Sequence, residues 1–195
     1  TLSGANYTYT MDADSLRTFA AFNVNQSKSV IISGNYLGKT STQNLHGLPQ
    51  VDYVIVTHES LRPQAERLAN LHRNNGLSVH VIDIQPVYNE FSGGASDPAA
   101  VRWFAKMFYD RAAVDPDNTL KYLCLFGDGT YDPLNRIPNN NYLLPTYNSP
   151  EAGPVDFISS FTADDFFGLL DDIEAMQPTD MLDIGIGRIP VSDLV

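Results

Sequence analysis

Between Val51 and Phe126, apolar runs of strand length alternate with longer segments that carry an apolar stripe at helical spacing. The first run, residues 51–57, is interrupted only by Asp52, which is typical of a strand covered on both faces of a sheet. This alternation constrains the fold most, because strands joined by helices form a parallel sheet with right-handed crossovers. It predicts an α/β fold, a parallel sheet flanked by helices. The strands are predicted at residues 51–57, 77–83 and 120–126.

Capping residues set the expected limits of the intervening helices. Ser60 is a candidate N-cap with Pro63 in the first turn, and Asn75 followed by Gly76 is a typical end. The predicted helices cover residues 60–75, 86–91 and 97–112.

The remaining stretches differ in character. Residues 127–163 are rich in Asn, Pro, Tyr and Ser and predict a long loop, which in a compact domain is usually functional or disordered. Two further strands are predicted at FFGLL, residues 166–170, and at LDIGIGRI, residues 182–189. Short β-branched or aromatic runs before residue 47 predict that residues 1–46 are the end of a preceding β-rich region. Residues 47–195 would then form the α/β unit.

The negative charge of the chain is concentrated in one stretch. The net charge is −11, and between Asp128 and Asp183 there are eleven acidic residues but one basic residue, Arg136. Nucleic acid and anionic membranes require clustered Lys and Arg, so both are excluded as expected partners, while cations and basic segments are favoured. No apolar run approaches the length of a membrane span, so no membrane insertion is expected.

The single cysteine, Cys124, excludes an intrachain disulfide and a cysteine-rich zinc site. It could be a nucleophile with His58 as its base, or it could be structural. Cys124 lies inside an apolar strand, where a thiol behaves as a small hydrophobic group with a raised pKa. The structural role is therefore favoured.

Carboxylates follow the predicted strands at the edge where parallel sheets bind ligands. Asp128 follows the third strand in a Gly-Asp-Gly turn, and Asp164 with Asp165 precedes the next apolar run. Together with Asp132 they offer the hard oxygen ligands that calcium prefers, although without the spacing of an EF-hand loop. A calcium site at Asp128, Asp164 and Asp165 and a solvated acidic loop both remain open.

Six segments in order resemble the gingipain family of cysteine peptidases, and within it the sortase branch of the bacterial type IX secretion system. They are QNLHGLPQVDYVIVTHESLRPQAERLANLH, VYNEFSGGASDPAAVRWFAKMFYDRA, KYLCLFGDGTYDP, NYLLPTYNSPEA, ADDFFGLLDD and LDIGIGRIPV. The resemblance covers residues 43–195. It implies a caspase-like fold of two side-by-side subdomains, of which this chain is the first.

The resemblance also implies where the catalytic residues are. In the family, the catalytic His and Cys lie downstream of the strand matched by Asp183–Arg188, so we expect no catalytic and no cofactor-binding residue in this chain. Gingipain relatives bind calcium, which supports the predicted metal site. The implied partners are the catalytic subdomain of the same parent chain, secreted cargo proteins and secretion-system subunits. The implied location is the bacterial cell surface, the outer membrane or the periplasm.

A second hypothesis comes from a different functional class. The Tyr- and Pro-rich loop at residues 127–163 is also compatible with a non-catalytic module of a secretion complex that binds a peptide or a partner subunit. The chain is expected to be inactive alone under both hypotheses.

Overall fold

A computed structural model describes residues 42–114, 117–134, 136–148, 162–174, 176–177 and 179–192. Its centre is a four-stranded parallel sheet in the order β2-β1-β3-β4. The strands are β1 (Tyr53–Thr57), β2 (Val79–Asp83), β3 (Tyr122–Phe126) and β4 (Gly185–Ile189). The helices are α1 (Arg62–Asn74), α2 (Ile84–Phe91) and α3 (Pro98–Arg111). The predicted parallel sheet flanked by helices is confirmed.

Side chains alternate between two cores because successive residues of a strand point to opposite faces. Val54 and Val56 of β1 face α2 and α3, where Phe104 and Phe108 are fully buried. Ile55 faces the other side, where α1 packs. Both faces of β1 are therefore apolar, which explains its continuous hydrophobic run.

The start of α1 differs from its prediction. A short 3-10 turn, Glu59–Leu61, precedes the helix, and the His58 side chain accepts a hydrogen bond from the Ser60 amide at 3.3 Å. Ser60 is therefore not the N-cap of α1. The first turn of α1 does contain Pro63, as expected, since proline has no amide hydrogen to leave unpaired there.

The predicted strand at residues 166–170 is wrong. The structure has a 3-10 helix at Asp164–Gly168, and Phe167 and Leu170 are buried against α3. A Cβ atom at Gly168 would lie 2.6 Å from Cγ1 of Ile186, so the absence of a side chain lets this segment pack directly on β4. A short apolar run fits a buried turn as well as a buried strand, and periodicity cannot separate them.

Residues 1–41 of the predicted β-rich region lie outside the described residues, and the boundary of this region stays a prediction. Its described end contains a 3-10 turn, Leu45–Gly47, which is bound to α2. The Glu90 carboxylate accepts hydrogen bonds from the amides of Leu45 and His46. Within the described part of the chain, no helix is long and apolar enough to span a membrane.

Candidate functional site

A polar cleft of about 550 Å³ lies at the carboxyl ends of β3 and β4. Ligands bind at this end of open parallel sheets, because the loops that leave the strands can approach a ligand there. The polar cleft is lined by Asp128, Gly129, Thr130, Tyr131, Ile137, Pro138, Asn139, Asn140, Asn141, Thr146, Thr162, Asp164 and Arg188.

Backbone hydrogen bonds hold the loop that forms the cleft. The Asp128 amide donates to the Val191 carbonyl at 2.8 Å, and the Asp128 carbonyl accepts from the amides of Leu143 and Leu144. Leu144 is fully buried, so the returning part of the loop is pinned to the core. Residues 128–133, DGTYDP, therefore form an ordered wall of the cleft.

Asp132 is a structural residue of this wall. It is 8% exposed, and its Oδ2 atom accepts hydrogen bonds from the amides of Arg136 at 2.5 Å and Ile137 at 2.7 Å. The Asn140 side chain donates to the Asp132 carbonyl at 2.7 Å. A carboxylate that satisfies buried amides in this way organises a turn and is not a free ligand.

Arg188 of β4 crosses the floor of the cleft and forms a two-pronged ion pair with Asp164. Its Nε and Nη2 atoms lie 2.8 Å from the two carboxylate oxygens, and Nη2 also donates to the Pro145 carbonyl at 2.8 Å. The side chains of Arg188 and Asp164 are 12% and 28% exposed. Arg188 thus connects β4, the 3-10 helix and the returning loop through charge-assisted hydrogen bonds.

The three residues of the predicted calcium site are not all in one place. Asp128 and Asp164 line the same cleft, as the parallel sheet predicted, but Asp165 lines a separate hollow. Both oxygens of Asp164 bind Arg188, and one oxygen of Asp128 accepts from the Gly129 amide at 2.9 Å. A calcium ion would compete with Arg188 for Asp164, so the site stays a prediction.

A second group of carboxylates, which the sequence did not predict, lies between the 3-10 helix and β4. Oxygens of Asp171, Glu174 and Asp183 all lie within 4.8 Å of one another. The Tyr109 hydroxyl donates to Asp171 at 2.9 Å and to Asp183 at 3.1 Å. Burial and the neighbouring carboxylates raise the pKa of Glu174. Asp171 and Asp183 are twelve positions apart, so no spacing pattern could have linked them.

Cys124 and His58 form no catalytic pair. Cys124 is 4% exposed in the middle of β3, and burial raises the pKa of its thiol. The His58 Nδ1 atom lies 2.8 Å from the Ser60 hydroxyl instead. A neutral, buried thiol is a poor nucleophile, which agrees with the structural role.

An apolar groove of about 630 Å³ lies beside β4 on the face of the sheet that α1 covers only in part. Gly185 and Gly187 face it, and a Cβ atom at Gly187 would meet nothing within 4 Å. Tyr122 borders the groove and is 47% exposed. No described strand pairs with the outer edge of β4, so the β4 groove and this edge together form an uncovered surface.

A family model decides the classification, since peptidase family C25 matches residues 46–194. The chain belongs to peptidase family C25. The predicted membership of the gingipain family is therefore confirmed, and a peptidase-type unit is assigned to this chain.

The crystal structure of dimeric latent PorU from Porphyromonas gingivalis is similar to this chain, with a TM-score of 0.67 and 36% sequence identity. The match covers 80% of this chain but 15% of the PorU chain. The chain is thus a PorU-like C25 fragment that spans a small part of PorU.

Two further comparisons add little. A solved structure described as a protease covers 72% of this chain and 24% of its own, at 13% identity and a TM-score of 0.46, which is too low to support an argument. A search of curated proteins gave no match.

Proposed function

We propose that this chain is the non-catalytic first subdomain of a larger C25 peptidase or sortase that acts on secreted proteins at the bacterial cell surface. The observation that carries the proposal is the outer edge of β4, with which no described strand pairs, and the groove beside it, in a chain whose match covers 15% of the PorU chain. A strand edge without a described partner, with an apolar face beside it, is a surface that a further strand and helix would cover. The catalytic subdomain of the same parent chain is the proposed occupant.

A peptide-cleavage assay on this chain tests the proposal. We expect no thiol-dependent cleavage, because Cys124 is buried, burial raises the pKa of its thiol, and His58 is bonded to Ser60 instead. Cleavage that is abolished by Cys124→Ala but retained by the surface control Ser60→Ala would overturn it. A parent gene that encodes neither a downstream His-Gly turn nor a strand ending in Cys would contradict the proposal that the parent protein is a peptidase or sortase.

We also propose that calcium binds at the polar cleft through Asp128 and Asp164. Asp165, which lines a separate hollow, is not a ligand in this proposal. Calcium should raise the melting temperature where magnesium does not, because the larger ion accepts irregular oxygen sites. Asp128→Asn with Asp164→Asn should abolish the shift. A shift that survives this change but is lost in Glu174→Gln would assign calcium to the other carboxylate group.

The second candidate is a binding module for a peptide or a secretion-system subunit, and the polar cleft favours it. The cleft has room for several side chains and presents both carboxylates and amides. Secreted cargo tails should bind the wild-type chain and bind Tyr131→Ala, at the exposed rim, more weakly. Equal binding by Tyr131→Ala and by Trp103→Ala, an exposed aromatic outside the cleft, would remove the support for this candidate.

A further inference from the structure

The loop between the 3-10 helix and β4 exposes large apolar side chains in an acidic setting. Ile173 is 92% exposed, Met181 is 79% exposed and Leu182 is 48% exposed. The side chains of Asp171, Glu174 and Asp183 meet at the base of the loop, which brings its two arms together. Ile173 lies between Asp171 and Glu174, and Met181 lies two residues before Asp183, so both flank the point where the arms meet; we name residues 171–174, 176–177 and 179–183 the acidic apolar loop.

The base of the acidic apolar loop is firmly held by α3. Arg102 donates to the carbonyls of Leu169 at 2.5 Å and Glu174 at 3.2 Å, and Lys106 donates to the Leu170 carbonyl at 2.8 Å. The Leu170 amide in turn donates to Asp183 at 2.7 Å. A surface that is ordered before binding loses less conformational entropy when a partner binds.

The loop also carries a hollow that suits a side chain. Its volume is about 120 Å³, and its walls are partly apolar and partly polar. It is lined by Asp165, Leu169, Met176, Gln177, Asp180 and Leu182. Methionine is flexible and polarizable, so such walls adapt to different aliphatic groups.

The most exposed charged groups around the loop are carboxylates, although Asp172 also lies 3.0 Å from the Lys106 ammonium. Asp165 and Asp172 are exposed carboxylates, and the nearby cations Arg102 and Lys106 are directed inward to backbone carbonyls and to Asp110 and Asp172. A partner that covered the apolar side chains would bring its own charges close to these carboxylates. A basic partner gains from this arrangement and an acidic one is repelled.

We propose that the acidic apolar loop is a docking surface for a basic amphipathic segment of a partner protein, whose aliphatic side chains cover Ile173 and Met181 and fill the hollow. Lysine or arginine side chains beside that apolar stripe pair with the surrounding carboxylates. This is the helix-in-groove type of recognition, in which apolar anchors supply affinity and charges supply orientation. The proposal does not depend on the proposed function, because it uses no residue of the polar cleft or the β4 groove.

The test is the anisotropy of a fluorescently labelled model peptide of leucine and lysine with all leucines on one helical face. It should bind the chain, and Ile173→Ser with Met181→Ser should weaken binding about tenfold or more, since two buried aliphatic side chains are lost. Leu71→Ser with Leu134→Ser removes two other exposed apolar side chains and should change binding less than about twofold. Equal effects of the two double variants would overturn the proposal.

Charge variants separate a docking surface from general attraction to an acidic protein. Asp165→Asn with Asp172→Asn should weaken binding about threefold or more, because two exposed carboxylates that attract a basic partner are lost. The same change in net charge at exposed positions outside the loop, Glu59→Gln with Asp117→Asn, should have a smaller effect. If both pairs act alike, net charge alone accounts for binding and the proposal fails.

Two further measurements examine the shape of the loop and the pattern of the peptide. Met176 has a φ of 61°, so Met176→Gly relieves an uncommon backbone conformation and should weaken binding without lowering stability. A peptide of the same composition with leucines scattered around the helix should bind about tenfold more weakly. Equal binding of both peptides, or no binding of either, would overturn the proposal. If the chain self-associates and the Ile173→Ser with Met181→Ser variant does not, the loop binds a second copy of the chain and the proposed basic partner is overturned.

Discussion

At the residue scale, Asp52 connects the beginnings of three strands. Its Oδ2 atom accepts from the amide and hydroxyl of Ser78, before β2, and its Oδ1 atom lies 2.6 Å from the Lys121 ammonium, before β3. The hydrogen bonds from Lys121 and Ser78 lower the pKa of Asp52 to about 2. One carboxylate thus helps to align β1 with both of its neighbours.

This pKa gives a pH-dependent prediction for Asp52→Asn. A carboxylate whose pKa is lower in the folded than in the unfolded chain stabilises the fold above the unfolded value, and the contribution is lost as the pH falls toward the folded value. At pH 7 the free energy of unfolding of the variant should be lower by about 1 kcal/mol. The loss is limited to this size because solvent screens a partly exposed charge. Urea unfolding at pH 7, 4 and 2 should show the two proteins converging at the lowest pH. A difference that is constant with pH would contradict the role of the charge.

Arg188 provides the second prediction at this scale. Arg188→Met leaves the Asp164 carboxylate half-buried and unpaired, so the free energy of unfolding should fall by about 3 kcal/mol. Adding Asp164→Asn removes the unpaired charge and should recover part of the loss. Urea denaturation of the wild type, both single variants and the double variant gives the coupling energy directly. Purely additive losses would mean that the ion pair contributes nothing.

At the element scale, β4 is shaped by what its glycines allow. Gly185 and Gly187 face the groove, whereas Ile186 packs on the α3 side of the sheet and Arg188 forms the floor of the cleft. The alternation of glycine with larger residues gives β4 one packed face and one bare face. The same strand therefore supplies the floor of the cleft and the opening of the groove.

A pair of glycine variants tests this account of β4. Gly187→Val should raise the free energy of unfolding by about 1 kcal/mol, because its side chain enters open space and valine favours a strand. Gly168→Ala is the contrasting variant, since its methyl group would meet Ile186 at 2.6 Å, and it should lower stability by about 2 kcal/mol. Thermal unfolding of both variants shows whether each substitution raises or lowers the free energy of unfolding. Destabilisation by Gly187→Val would mean that the groove is not open.

The elements also show what the sequence could predict. The strands were found because β1, β2 and β3 are rich in apolar residues, but each begins two residues later than predicted, where Asp52 binds both Ser78 and Lys121 instead. The strand expected at residues 166–170 failed because an apolar run does not reveal whether it pairs or only packs. Such outcomes depend on partners that lie far away in the chain.

The same limit applies to the candidate site. Asp128 directly follows β3, and it lines one cleft with Asp164, as expected for residues at the carboxyl edge of a parallel sheet, whereas Asp165 lies elsewhere. The rule for parallel sheets could not predict that Arg188 binds Asp164, since the two residues are 24 positions apart on different elements. The choice of partner for a charge is a property of the tertiary fold.

At the scale of the whole molecule, the two faces of the sheet are covered unequally. Helices α2 and α3 and the 3-10 helix cover one face across its width, whereas on the other face the described residues place α1 against β1 and β2 and leave the groove beside β4 open. An open edge and a bare apolar face favour association, because pairing satisfies backbone groups and removes apolar surface from water.

We therefore expect the chain to self-associate through the β4 groove. Sedimentation velocity should show a dimer fraction that rises with concentration, and Gly187→Lys should abolish it, because a buried ammonium in the contact would be costly. Leu71→Lys is the matched control, since Leu71 is 57% exposed on α1 and does not line the groove. A strictly monomeric chain that binds little hydrophobic dye would show that the β4 groove does not mediate association. Loss of the dimer in the Leu71→Lys control would move the contact to α1.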